Sequence, residues 1–126
     1  MTLDPSLARA IILATSFRGE AMHRCQAALL MIGLHGLDFD AGQLPAELCV
    51  DEQGQPDLHV AGMACASLAS QKLIEGVGRV RSSSPLANGR KVTQWRIPSN
   101  KVTTVRTWLE RHGYPAGSSE QISLAV

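Results

Sequence analysis

Apolar positions along the chain fall into two rhythms. Leu7, Ile11 and Ile12 recur at helical spacing behind Asp4-Pro5, a pair suited to cap and open a helix. Gly19 breaks that run. A stronger helical stripe follows over 20–34, with Cys25, Ala28, Leu29, Ile32 and Met22 on its inner face and Gly33 and Gly36 at its end. Asp40 is placed to cap a short helix over 44–48, where Pro45 either sits near the first turn or splits the segment. The segment CVDEQGQPD is turn chemistry, punctuated by Gly54 and Pro56. The next helix runs from Asp57 or His59 to Lys72, with Ala61, Ala64, Cys65 and Leu68 inward and Leu73-Ile74 seating its end. The rhythm then changes to period two. Strands are predicted over 76–81 and 91–97, with Val77 or Val80 facing inward alongside Val92 and Trp95. Pro98 stops the second strand, and Ser99 caps a last helix to 112 with Val102, Val105, Trp108 and Leu109 as its stripe. The residues from 114 onward read as a loose tail.

Length and composition add bounds. A chain of 126 residues suits one core, and 44% hydrophobic residues is an ordinary globular fraction. No apolar run approaches the ~18 residues of a membrane span, and the start of the chain does not read as a signal peptide. Cys25, Cys49 and Cys65 form an odd set with no CxxC, which reads as core thiols in a reducing cytoplasm. The net charge of +1 conceals a polarity. Residues 1–71 carry three basic against eight acidic side chains, and residues 72–126 carry nine against three. Six acidic residues and no Lys or Arg lie over 37–57. Such asymmetry points to an anionic partner for the basic half.

The stretch SLASQKLIEGVGRVRSSSPLANGRKVTQWRI resembles the recognition-helix end and wing of winged helix-turn-helix DNA-binding proteins, in the style of small phage, prophage and mobile-element members. The upstream AALLMIGLHGLDFDAGQLPAEL is similar to that fold's first two helices, so the likeness covers 19–98. It departs at Lys72, where the family usually has glycine. The resemblance implies a mainly α fold with a small β-hairpin wing, a winged-helix domain over 19–98, and the apolar stripes outside it add a helix over 1–18, a candidate dimer element, and another over 99–113. It also implies a non-catalytic protein that binds double-stranded DNA, as a transcriptional or replication regulator of a mobile element. A homodimer would present two half-sites.

Within that frame the basic residues Arg79, Arg81, Arg90, Lys91 and Arg96 fall on the hairpin, where cations on a surface that follows the backbone neutralise phosphate. The alternative for these residues is a solvated strand edge protected by charge. On the preceding helix the groove-facing candidates are Val60, Gly62, Met63, Ala66, Ser67 and Ser70, and His59, Ser67, Ser70 and Gln71 are the polar readers. None can make the Arg-to-guanine or Asn-to-adenine pairs that dominate direct readout. Affinity is therefore expected from the wing, with weak sequence preference. Arg24 and His23 read as surface residues, and Lys101, Arg106 and Arg111 as a solvated helix face. The stripes of the two terminal helices, more than a minimal winged helix can cover, are expected to form a dimer seam.

Other chemistry is not signalled. His23, His35, His59 and His112 lack metal-ligand spacing, and no nucleophile elbow, Walker loop or dinucleotide fingerprint occurs. No catalysis, metal or cofactor is expected. The rival reading is a protein-interaction module, or an inhibitor that mimics nucleic acid, acting through the acidic 37–57 segment.

Overall fold

The computed structural model describes residues 20–44, 46–57, 59–81 and 91–114. Three α-helices and one two-stranded antiparallel hairpin make up the described architecture, with helices dominant. They are α1 (Ala21–Gly33), α2 (His59–Ser70), β1 (Glu75–Arg81), β2 (Lys91–Arg96) and α3 (Val102–Arg111). The expected helix over 1–18, the hairpin tip with Arg90, and the tail from 115 lie outside the described residues.

Helix α1 is the centre of the core. Cys25, Ala27, Ala28, Leu29 and Leu30 are fully buried, so its stripe has widened to nearly the whole circumference. Helix α2 lays Val60, Ala61, Ala64, Cys65 and Leu68 against it, and the buried Gln26 donates from Nε2 to the Ala64 carbonyl at 3.5 Å. Small residues on α2 permit this close approach. On the other side α3 presents Val105, Trp108 and Leu109, all buried. Burying side chains of this size contributes about 1.5–3 kcal/mol each. The His23 ring meets Trp108 at 6.1 Å and His112 at 4.7 Å, and Trp108 stacks on His112 at 4.0 Å. His23 therefore joins α1 to α3 rather than standing on the surface. The last helix also covers its stripe within the chain, which removes half the ground for the expected dimer seam.

The short helix expected over 44–48 is replaced by two 3-10 turns, Ala41–Gln43 and Ala46–Leu48. Five residues offer too few hydrogen bonds to offset helix nucleation. The Asp40 carboxylate instead accepts from the Gly42 N–H at 2.9 Å and fixes the first turn. Leu44 and Leu48 are buried all the same. The following turn is closed by a Val50–Pro56 bridge and by Asp51 Oδ1, which accepts from the N–H groups of Gln53 and Gln55.

In the sheet Glu75 pairs with Arg96, Gly76 with Trp95, and Arg81 with Lys91, with a bulge at Val77 between Gly76 and Gly78. The bulge settles the alternative between Val77 and Val80. An extra residue shifts the parity of the strand, so both are half-buried although three positions apart. Gly78 follows with φ +152°, a conformation that side chains disfavour. Phe39 adds a single residue to the other edge of β2, exchanging both backbone hydrogen bonds with Trp95 at 2.9 and 2.7 Å. The hairpin is anchored there, near its base.

Two helices end in the same six-residue motif. After α2, the Leu73 N–H donates to the Leu68 carbonyl and the Lys72 N–H to that of Ala69. After α3, the Tyr114 N–H donates to Leu109 and the Gly113 N–H to Glu110. This is the Schellman arrangement, and its turning residue must be left-handed. Gly113 has φ +81° and Lys72 has φ +62°. Tyr114, expected in the loose tail, is buried as the motif's closing apolar residue. Ser99 does not cap α3; a 3-10 turn, Ser99–Lys101, starts after Pro98 and precedes the helix, with no side-chain cap.

Candidate nucleic-acid interface

Helix α2 has one face free of the core. His59, Gly62, Met63, Ala66 and Ser70 are exposed and Ser67 is half-buried. This is the 3–4 spacing of a single helical stripe. Gln71 and Lys72 extend it past the helix end, both exposed. Val60, expected on this stripe, is instead buried, because the first turn of the helix already points it at α1. The stripe bears no acidic residue.

Three of the four polar readers have a local partner: His59 has Asp57, and Ser67 and Gln71 have each other. Asp57 Oδ1 accepts from the His59 N–H at 2.9 Å and lies 3.1 Å from His59 Nδ1. The backbone donor, then the ring, holds the Asp57 carboxyl below the ordinary carboxylate range. His59 is thus tied to an anion at the start of α2. Gln71 Nε2 donates to both the carbonyl and the hydroxyl of Ser67 at 3.3 Å. Ser70 is exposed on the same stripe.

The hairpin divides its cations by the pleat. Arg79 pairs with Thr93 and Arg81 with Lys91, so Arg79, Arg81 and Lys91 share one face near its outer end. Arg79 Nη2 donates to the Lys91 carbonyl at 3.0 Å, drawing the guanidinium along the ribbon toward that pair. Arg96 does not join them. It lies on the opposite face, 3.6 Å from Glu75, with both side chains about half exposed. The sequence could not show this pairing, because the bulge at Val77 sets which residue meets Arg96. Arg90 is outside the described residues. Of the five cations expected to act together, the structure gathers three.

Half of the acidic segment's carboxylates are accounted for by backbone chemistry. Asp40, Asp51 and Asp57 each accept from N–H groups in a turn or at a helix start. The thiols belong to the core. Cys25 donates from Sγ to the Leu48 carbonyl at 3.1 Å. Burial, then the neighbouring Cys49, pushes its pKa up to about 12, and burial raises Cys65 to about 12 as well. Such thiols are protonated near neutrality and are poor nucleophiles. Among the described residues no cluster of three or more His, Cys, Asp or Glu is arranged to hold a metal ion, and no helix is long and apolar enough to cross a membrane. No family model, curated protein or solved structure matches the chain.

Proposed function

We propose that this chain is a winged helix that binds double-stranded DNA without acting on it chemically. Helix α2 would lie in the major groove and the β1–β2 hairpin on the flanking backbone. The element order supports the fold: α1, the strand position at Phe39, a turn region, α2, then a hairpin whose second strand lies between Phe39 and the first. Helix α2 passes through residues 71–74 directly into β1, so the helix end and the hairpin base adjoin.

One observation carries the functional reading. Arg81 and Lys91 are direct cross-strand partners, both exposed, with the Arg79 guanidinium held to the Lys91 carbonyl. Like charges directly opposite each other destabilise a sheet by a few tenths of a kcal/mol or more. A phosphate beside them turns that cost into attraction. The acidic segment offers the rival protein-binding reading less, since half of its carboxylates already serve the backbone. The regulatory role in a mobile element rests on the family resemblance, and the homodimer on residues 1–18.

The test is binding to labelled mixed-sequence duplex across a salt series. Arg81→Ala with Lys91→Ala should flatten the slope of log affinity against log salt by roughly 0.9 per contact, about 1.8 in all. The loss should be alike across sequences, since phosphate contacts do not read bases. Arg96→Ala, on the other face, should change the slope little. An unchanged slope in the double variant would refute the hairpin as the electrostatic grip.

A further inference from the structure

Among the described residues one large apolar side chain stands in solvent: Met63, 51% exposed. It lies on the second turn of α2, one turn before the exposed Ala66, in the middle of the stripe proposed to face DNA. The fold gives it no partner. Charge supplies the occupant, since α2 has no acidic residue and leads through Lys72 into the hairpin that gathers Arg79, Arg81 and Lys91. The two carboxylates that flank α2 in the chain are both paired, Asp57 with His59 and Glu75 with Arg96 on the hairpin's other face, so a polyanion lying along this stripe meets no unpaired anion from either.

In the major groove the apolar group that a side chain can cover is the C5 methyl of thymine. We propose that Met63, with Ala66 beside it, reads thymine methyl groups, so that this protein prefers major-groove sites bearing them. The inference rests on the DNA-binding reading above. It would give base selectivity to a helix with no Arg, Lys, Asn or Asp on its exposed stripe. Methionine suits the task, because its unbranched thioether adapts to a methyl whose position shifts with local helix geometry. Ser67 and Ser70 can hydrogen-bond to either partner of a base pair and leave the choice to the methyl contact.

The experiment uses the full chain and two labelled duplexes of roughly 20 base pairs, long enough for two half-sites. One is an alternating A·T sequence. The other is the same sequence with deoxyuridine for every thymidine, which deletes the methyls and keeps every hydrogen-bonding group. Binding is followed by fluorescence anisotropy at low salt. The wild type should prefer the thymidine duplex by about fourfold for each methyl buried. Met63→Ala should bring that ratio close to one, with its salt slope unchanged. Arg81→Ala with Lys91→Ala should weaken both duplexes equally and keep the ratio. A wild-type ratio of one with binding intact overturns the inference and leaves the DNA reading standing. A ratio that persists in Met63→Ala overturns it too, since duplex shape would then carry the preference. Failure to bind either duplex overturns the DNA reading and the inference with it.

Discussion

Lys72 occupies a position built for glycine, and replacing it should stabilise the protein. The turning residue of a Schellman motif takes a left-handed conformation, and at φ +62° an L side chain crowds its own carbonyl at a cost of about 1–2 kcal/mol. Lys72 is exposed, so Lys72→Gly removes no buried contact. Glycine gives back part of the gain, because it makes the unfolded chain less restricted, by about 0.4–1 kcal/mol. The net expectation is a stabilisation of about 0.5–1 kcal/mol. In urea, with a slope of about 1.5 kcal/mol per molar, the unfolding midpoint should rise by about 0.3–0.7 M. The end of α3 supplies the reciprocal control. Gly113 turns the same motif at φ +81° with room for a Cβ, so Gly113→Lys should lower the midpoint by a similar amount. A midpoint that stays or falls in Lys72→Gly, while Gly113→Lys behaves as expected, would refute the account. The Lys72 side chain would then be making a stabilising interaction of its own.

Two helical glycines should answer to alanine with opposite signs. At Gly62 a Cβ meets nothing within 4 Å, and Gly62→Ala should stabilise by up to about 1 kcal/mol through helix propensity. At Gly33 a Cβ would come within 2.8 Å of Phe39 Cε1 and 2.7 Å of Ile97 Cδ1, so Gly33→Ala should cost about 1–3 kcal/mol, with thermal unfolding as the check. The thiols give a pH prediction. Cys25 and Cys65 titrate near 12 in the folded chain against an ordinary 9.0, so their contribution is complete below pH 9 and is lost as pH rises toward 12. Cys25→Ser with Cys65→Ala should flatten that alkaline fall in stability. An aromatic disulfide reagent at pH 8 should label neither Cys25 nor Cys65 quickly until denaturant is added.

Most of this architecture was legible because local signals agreed with the core. The 20–34 stripe, bounded by Gly19 and Gly36, gave α1, and period-two alternation gave both strands within a residue. What failed depended on competition that a sequence does not display. Asp40 is as good a cap for a 3-10 turn as for a helix, and five residues were too few to decide for the helix. Ser99 follows Pro98 into a tight turn, so its hydroxyl caps nothing. For the candidate interface the strand period alone groups Arg79 with Arg81 and sets Arg96 on the opposite face from Lys91, but the sequence does not show which residue of β1 lies opposite Arg96. A single extra residue at Val77 decides that the residue meeting Arg96 is Glu75. Met63 was visible as a groove-facing position. Its isolation as the one large exposed apolar side chain among the described residues depends on the tertiary burial of the others, which a sequence does not display.

The anchor at Trp95 has a consequence for how added salt acts. Phe39 holds the foot of β2, while among the described residues the outer pairs from Gly78 and Gln94 to Arg81 and Lys91 have no third strand. A two-stranded ribbon is marginal by itself, and this one carries its like charges at the free end. Salt ions screen that repulsion over a length of about 10 Å at 0.1 M, so the unbound ribbon zips more tightly as ionic strength rises. At low salt the ribbon is loosest when free and must lose the most conformational entropy on docking. In the proposed DNA complex salt would thus weaken attraction to phosphate while making the ribbon easier to dock. If the proposed DNA complex forms, the slope read from a titration will slightly undercount the phosphates engaged.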